Sequence, residues 1–72
     1  MKIGILGATG AVGRQMLECI EEQNLAVDEL RLFSSPRSAG RVLSFHGEGI
    51  TVQVVDEYSF EGLDYVLGAV SN

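Results

Sequence analysis

Residues 7–13 read Gly-Ala-Thr-Gly-Ala-Val-Gly and stand between two segments of different character. The preceding run, Ile-Gly-Ile-Leu at 3–6, is apolar and short enough for one buried strand, whereas residues 14–20 have a helical pattern. A strand that enters a helix through a turn with three glycines is typical of phosphate-binding turns, because the first helical N–H groups point at the ligand. The stretch therefore predicts a nucleotide-binding unit of the α/β class.

Each of the three glycines has its own predicted role. Gly7 can adopt a positive φ where the strand ends, Gly10 would let a pyrophosphate approach the backbone, and Gly13 would let the helix pack closely on the strand. The spacing is G-x-x-G-x-x-G, one residue wider at its start than the dinucleotide-binding fingerprint. Turns of small residues also join strands to helices without a ligand, so a purely structural turn is the alternative.

Composition limits the class of protein. The chain has 72 residues, 46% of them hydrophobic, and a net charge of −5, which indicate one small globular domain. The negative charge disfavours a nucleic-acid or anionic-membrane surface, so an anion site has to be local. No apolar run reaches the ~18 residues of a membrane span, no signal peptide is recognisable, and one cysteine fits the reducing cytoplasm.

The segment after the turn predicts an amphipathic helix from about residue 11 to residue 22 or 23, with Asn24 as its C-terminal stop. Its apolar positions recur at helical spacing and are expected to form the buried stripe: Val12, Met16, Cys19 and Ile20. Cys19 could also be a thiol nucleophile, but no histidine lies near it in sequence. Core packing is therefore the preferred interpretation.

A second strand is predicted over residues 27–33, and it closes a right-handed βαβ crossover with the first strand. No amphipathic helix follows the loop after it. Instead, residues 41–45 and 50–55 alternate like the strands of a β-hairpin connected by the four residues 46–49. His46 is interpreted as a solvated turn residue, because no acidic or cysteine partner stands at metal-ligand spacing.

The last predicted strand spans residues 65–70 and follows an acidic lead-in, residues 56–64, that predicts a short helical turn. The strand is apolar at successive positions, so both of its faces need cover. One helix cannot cover both faces of this sheet, which is therefore expected to be incomplete. The isolated chain should be weakly stable or self-associated, because three apolar side chains lack cover: Val66, Leu67 and Val70.

The end of the second strand carries the second half of the predicted site. An NAD-binding βαβ unit has an acidic residue ~20 positions after the glycines, but counting on from Gly13 gives Ser34. Two hydroxyls and a guanidinium follow, from Ser35, Arg37 and Ser38. A carboxylate would repel a 2′-phosphate, whereas an arginine with hydroxyl donors would bind one. The pattern predicts NADP over NAD, and the alternative is a solvated loop whose arginine contacts nothing.

Three blocks together resemble the beginning of the aspartate-semialdehyde dehydrogenases: residues 5–13, Ser-Pro-Arg-Ser-Ala-Gly at 35–40 and Phe-Glu-Gly-Leu-Asp at 60–64. The resemblance covers essentially all 72 residues. It implies that residues 1–72 are the N-terminal portion of an NADP-binding Rossmann-like domain, with a β-hairpin in place of the second helix and then a further parallel strand. It further implies that the pyrophosphate and adjacent ribose contact Thr9, Gly10, Ala11 and Val12, and that the 2′-phosphate is held by Ser35, Arg37 and Ser38.

The family's full-length enzymes reductively dephosphorylate β-aspartyl phosphate to aspartate semialdehyde, on the route to lysine, threonine and methionine. By the resemblance, the catalytic cysteine, histidine and substrate arginines lie downstream, so these 72 residues are expected to be inactive alone and to hold no metal. The parent enzyme is expected to be a homo-oligomer. Pro36 and residues 68–72 depart from the family pattern, and the second departure leaves the nicotinamide-side contacts open.

Two alternatives to this family are open. One is N-acetyl-glutamyl-phosphate reductase, which shares the acyl-phosphate chemistry but usually has a bulkier aromatic where Ala11 and Val12 stand. The other is a non-catalytic fragment that binds nucleotide or only packs against a partner. The missing catalytic half and the incomplete sheet motivate that second reading.

Overall fold

The computed structural model describes residues 1–24 and 26–68. Within these ranges the elements are β1 (Lys2–Leu6), α1 (Ala11–Glu22), β2 (Glu29–Ser34), β3 (Val42–Phe45), β4 (Glu48–Val54) and β5 (Tyr65–Gly68). The five strands form one sheet in the order β3-β4-β2-β1-β5, in which only the β3–β4 pair is antiparallel. The predicted Rossmann-like α/β fold is confirmed: a βαβ unit, a hairpin in place of the second helix and a further parallel strand.

One face of the sheet packs against α1 and forms the main core. Alternate residues of β1 and β2 point to that face, because successive side chains of a strand lie on opposite sides. The buried cluster consists of Ile3, Ile5, Ala8, Leu17, Ile20, Leu30, Leu32, Phe45 and Val52. Leu67 of β5 packs against it, so the prediction that Leu67 lacks cover is wrong.

The predicted buried stripe of α1 is right for Ile20, which is buried, and for Met16, which packs against the core, but wrong for two other residues. The buried positions are Gly13, Leu17 and Ile20, whereas Val12 is 46% exposed and Cys19 is exposed. Gly13 determines which face of α1 is buried, because the helix backbone contacts the preceding turn at this residue. Val12 and Cys19 each lie one residue, about 100° around the helix, from a buried position. Cys19 is therefore not the core residue that the sequence predicted.

The β3–β4 hairpin is confirmed, but its connection is tighter than predicted. Phe45 pairs with Glu48, so the turn contains only His46 and Gly47, and β4 begins two residues earlier than expected. Both turn residues have positive φ, +50° and +81°, as a two-residue type I′ turn requires. His46 is an exposed turn residue, as predicted.

The opposite face of the sheet is partly covered by residues 56–64, which form successive turns instead of a helix. Phe33 is fully buried there, with the ring of Phe60 edge-on at 5.6 Å between centroids. The Arg31 guanidinium donates to the carbonyl oxygens of Ser59 and Glu61, each at 2.9 Å. These contacts hold the lead-in segment against the sheet. Val66 stays 40% exposed.

The other bounds differ from prediction by a few residues. Strand β2 begins at Glu29 and includes Ser34, and Asn24 stops α1 with a φ of +53°. Strand β5 is described as far as Gly68, so the predicted extension to Val70 and its exposure lie outside the described residues, as do residues 71–72. No helix in the described part of the chain is both long and apolar enough to cross a membrane.

Candidate dinucleotide-binding site

The glycine turn follows the carboxyl end of β1, one of the two inner strands in the four-stranded parallel part of the sheet. Leu6, the last residue of β1, pairs with Phe33 of β2 on one side and with Gly68 of β5 on the other. Strands β2 and β4 lie on one side of β1 and β5 lies on the other, so the order of the strands reverses at β1. The turn that follows β1 lies at this switch point. Crevices at such switch points are where open α/β sheets bind their ligands.

A backbone hydrogen bond ties the turn to the neighbouring strand. The Ala8 N–H donates to the Phe33 carbonyl oxygen at 3.0 Å, and Ala8 is itself buried. The loop that follows β2, residues 35–40, starts two residues beyond Phe33. The structure therefore brings both halves of the predicted site to one edge of the sheet, on adjacent strands.

At two of the three positions, the backbone conformation or a close contact within the protein requires a glycine. Gly7 has a φ of +72°, which disfavours any side chain. A Cβ atom on Gly13 would lie 2.2 Å from the Gly7 carbonyl oxygen and 2.7 Å from the Ala8 Cα atom, so only glycine fits there. These observations agree with the structural roles expected of Gly7 and Gly13.

Gly10 is different, because nothing in the described part of the chain requires a glycine at this position. Its φ is −76°, an ordinary value, and an added Cβ would meet only the Gly7 carbonyl oxygen at 3.5 Å, a normal contact. Gly10 is also exposed. The open cradle that a Cβ would partly fill is what the close approach of a pyrophosphate needs.

The N-terminus of α1 carries no protein anion of its own. Gly10 is the N-cap and supplies no side-chain bond, and the first turn has no acidic residue. The first N–H groups of a helix lack intrahelical partners and face the positive end of its dipole. Ala11 and Val12 are exposed and Thr9 is partly exposed, so the positions around these N–H groups are accessible.

The loop after β2 is closed by its own backbone. The N–H groups of Ser38 and Ala39 both donate to the Ser35 carbonyl oxygen, at 3.0 and 3.1 Å. Ser35 and Arg37 are exposed and Ser38 is partly buried. Within the described residues, Arg37 has neither an ion pair nor a side-chain hydrogen bond, so its guanidinium is available to a ligand.

Charge is distributed unevenly between the two ends of the parallel strands. The segments that follow β1 and β2 at their carboxyl ends, residues 7–14 and 35–41, contain no carboxylate and three of the five cationic residues, namely Arg14, Arg37 and Arg41. The segment that follows β4 at the same end of the sheet is acidic and contains Asp56 and Glu57. At the opposite end, Asp28 precedes β2 and accepts a hydrogen bond from the Met1 ammonium group at 2.5 Å. That hydrogen bond and the ammonium charge hold the pKa of Asp28 below its ordinary value of 3.8. An anion is therefore favoured at the carboxyl ends of β1 and β2.

Neither of two cavities formed by the described residues lies at the candidate site. Two cavities of about 280 and 260 Å³ lie elsewhere, one between α1 and β3 and the other between the start of β2 and the hairpin turn. None of the residues predicted for the site lines either cavity. The sequence predicted no role for Gly40 and Arg41, which lie at the end of the loop after β2.

A parallel sheet with a glycine turn at its switch point defines the chain as a Rossmann-like, dinucleotide-binding unit. Residues 2–72 match the family described as the semialdehyde dehydrogenase NAD-binding domain, and the chain belongs to that family.

Its similarity to individual proteins agrees with this assignment. The chain is 48% identical over 69 residues to an aspartate-semialdehyde dehydrogenase of Synechocystis and 49% identical over 67 residues to that of Aquifex aeolicus. These alignments cover 96% and 92% of the chain but 20% of each relative, so the chain spans about a fifth of their length. A crystal structure of aspartate semialdehyde dehydrogenase II from Vibrio cholerae, complexed with ASA, has a TM-score of 0.90 at 40% identity, over 96% of this chain and 22% of that one.

Proposed function

We propose that residues 1–72 are the N-terminal, NADP-binding portion of an aspartate-semialdehyde dehydrogenase. The observation that carries this proposal is the juxtaposition at the carboxyl ends of β1 and β2. There a turn with an unexplained glycine, Gly10, adjoins a loop that presents an unpaired arginine, Arg37. No carboxylate stands in either segment.

The two halves of the site have different tasks. The turn would hold the pyrophosphate and adjacent ribose through the backbone and small side chains of Gly7, Thr9, Gly10, Ala11, Val12 and Gly13. The loop would hold the 2′-phosphate of the adenosine ribose through Ser35, Arg37 and Ser38. Arginine suits this task, because its guanidinium stays charged and can donate two hydrogen bonds to one phosphate.

The position of acidic residues supports NADP over NAD. An NAD site would need a carboxylate at the end of β2, to accept hydrogen bonds from the ribose 2′-hydroxyl. Asp56, two residues beyond the Val54 that pairs with Ser34, already accepts hydrogen bonds from the Tyr58 N–H and the Ser59 hydroxyl. Strand β2 itself ends in Ser34, and Asp28 and Glu29 lie at its other end. A strand of six residues separates its two ends by roughly 16 Å, too far for either carboxylate to reach the same ribose.

For the whole enzyme we propose the family's reaction, the reductive dephosphorylation of β-aspartyl phosphate to aspartate semialdehyde, which serves the synthesis of lysine, threonine and methionine. NADPH, when bound, supplies the hydride. The chain's own residues bind and orient the cofactor and include no catalytic group, so we expect residues 1–72 alone to be inactive. A cytoplasmic, homo-oligomeric parent enzyme without nucleic-acid or membrane partners fits the same proposal.

N-acetyl-glutamyl-phosphate reductase is the closest enzymatic alternative. The small, exposed residues Ala11 and Val12 favour the aspartate-semialdehyde enzyme, since the rival usually has a bulkier aromatic there. Competition between the two acyl-phosphate substrates on a full-length protein that carries this segment would decide between them. A fragment that binds no nucleotide is the remaining alternative, and the titration below tests it.

The experiment is a titration of the chain with NADPH and with NADH, followed by cofactor fluorescence and repeated with Arg37→Ala. Hydrogen bonds to a charged group contribute about 1.5–3 kcal/mol, so Arg37→Ala should weaken NADPH binding at least tenfold and leave NADH almost unchanged. Lys2→Ala is the matched control. It removes the same charge from the amino end of β1, roughly 13 Å of strand away from the site, where salt screens its effect.

Four results would contradict the proposal. Equal affinity for NADPH and NADH would show that the chain has no preference for NADP. An unchanged NADPH affinity in Arg37→Ala would show that the loop does not bind the 2′-phosphate through Arg37. Equal effects of Lys2→Ala and Arg37→Ala would show that only the overall charge matters. Binding of neither cofactor would favour the non-catalytic reading.

A further inference from the structure

The start of β3 contains a β-bulge that regular pairing does not explain. The Gly40 N–H donates to the Val52 carbonyl oxygen at 2.8 Å, and the Val52 N–H donates to the Arg41 carbonyl oxygen, also at 2.8 Å. Two residues of one strand thus oppose a single residue of β4. Gly40 has a φ of +94°, the conformation of the first residue of a G1 bulge, which is nearly always glycine.

This bulge forms the second anchor of the loop that carries Arg37. The loop starts from β2, where Ser34 pairs with Val54 of β4, and returns to the same strand β4 through the Gly40–Val52 bond. Between the anchors, the Ser35 carbonyl oxygen accepts two N–H bonds and closes the turn. Strand β4 therefore fixes both ends of the loop, and the hairpin replaces the second helix as its support.

We propose that Gly40 is a positioning residue, whose bulge aims the loop at the 2′-phosphate of the cofactor. The inference rests on the proposed function, since it assumes that Arg37 binds that phosphate. Without the bulge, the regular pairing between β3 and β4 would extend one residue further into the loop. Because side chains alternate along a strand, a slip of one residue turns the following side chains to the opposite face. The loop would also lose one residue of its span, and Arg37 would no longer point at the ligand.

The surroundings of Gly40 make the test specific. Apart from its two chain neighbours, no described residue has an atom within 4 Å of a Cβ added to Gly40, so we expect a substitution to act through the disfavoured positive φ. Gly47, in the hairpin turn, has a φ of +81° and the same open space, and therefore provides a matched control. Both alanine variants put a Cβ on strained backbone, but only Gly40 adjoins the loop.

The measured quantity is the ratio of the NADH to the NADPH dissociation constant. A general loss of stability weakens the binding of both cofactors alike and leaves this ratio unchanged. An L-residue in the left-handed conformation costs about 1–2 kcal/mol, so Gly40→Ala should lower this ratio about five- to thirtyfold. Gly47→Ala should destabilise the fold similarly and leave the ratio unchanged. A D-alanine at position 40, introduced by chemical synthesis of the 72-residue chain, favours positive φ and should restore the ratio.

The outcomes separate this inference from the proposed function. If Arg37→Ala lowers the ratio but Gly40→Ala does not, or if Gly40→Ala and Gly47→Ala lower it equally, the positioning role is wrong and the proposed function stands. If the unmodified chain shows no NADPH preference, both fail. Should Gly40→Ala not fold, Gly40→Asn replaces it, since asparagine tolerates positive φ better than alanine. A Gly40→Asn chain that is destabilised as much as a Gly47→Asn chain but keeps the ratio of the unmodified chain overturns the positioning role, whereas a lowered ratio supports it.

Discussion

Substitution of Gly13 by alanine tests the contact on which the geometry of the turn depends. Alanine would place its Cβ 2.2 Å from the Gly7 carbonyl oxygen, about 1.2 Å nearer than the 3.4 Å at which ordinary contact begins. The Ala8 Cα atom at 2.7 Å and the Gly7 carbonyl carbon at 2.9 Å are also too close. All three are backbone atoms, so no side-chain rotation relieves the clash and the start of α1 has to move.

Two effects of opposite sign compete in this variant. Replacing glycine by alanine inside a helix stabilises it by about 1 kcal/mol through propensity alone. Forcing an extra carbon into a packed site costs about 1–3 kcal/mol, and three backbone contacts place Gly13→Ala at the upper end of that range. We therefore expect a net loss of about 2 kcal/mol in the free energy of unfolding.

Urea unfolding followed by circular dichroism at 222 nm measures this loss. With a slope of about 1 kcal/mol per molar urea, the midpoint should fall by about 2 M. Gly10→Ala is the matched control, because its Cβ meets only one atom at an ordinary 3.5 Å. It should change stability by about 0.5 kcal/mol, through the weaker N-cap, but should weaken NADPH binding. A Gly13→Ala chain as stable as the unmodified one would refute the reasoning.

Three further predictions concern other parts of the molecule. Phe33→Ala should cost about 3–5 kcal/mol, because the ring is fully buried, and thermal denaturation should find the variant largely unfolded. Val66→Lys should reduce self-association in sedimentation experiments, since Val66 is 40% exposed on an edge strand; equal association in both chains would contradict this. The Met1 ammonium lowers the folded-state pKa of Asp28, so its contribution to stability is present above the ordinary pKa of 3.8 and is lost as pH falls through the folded value. Asp28→Asn should therefore lose less stability than the unmodified chain between pH 5 and about pH 3, as measured by urea midpoints.

Local patterns predicted the type and order of the elements. Alternation and apolar runs identified all five strands, because a strand buried on one or both faces leaves a period of two or a continuous apolar run in the sequence. The bounds of α1 were predicted to within one residue, because glycine precedes the helix and Asn24 follows it. The hairpin connection was predicted two residues too long. Its turn residue His46 adopts positive φ, which sequence patterns rarely indicate.

The residues of α1 alone did not predict which face of the helix is buried. Val12, Cys19, Leu17 and Ile20 are all apolar, and two stripes offset by one residue fit the periodicity almost equally well. The choice depends on Gly13, whose backbone touches Gly7 across the turn. This is a contact between two elements, so the helical periodicity alone does not contain it.

For the candidate site, too, some features follow from local sequence and others only from contacts between elements. By itself, the sequence predicted which residues would carry its chemistry, because the glycine spacing, the missing carboxylate at Ser34 and the arginine at position 37 are local properties. Only the tertiary structure decided that the turn and the loop share one edge of the sheet, that no described residue requires a glycine at position 10, and that Gly40 forms a bulge against Val52. These features arise from pairing between strands far apart in the chain, where backbone hydrogen bonds, and not side-chain identity, set the geometry.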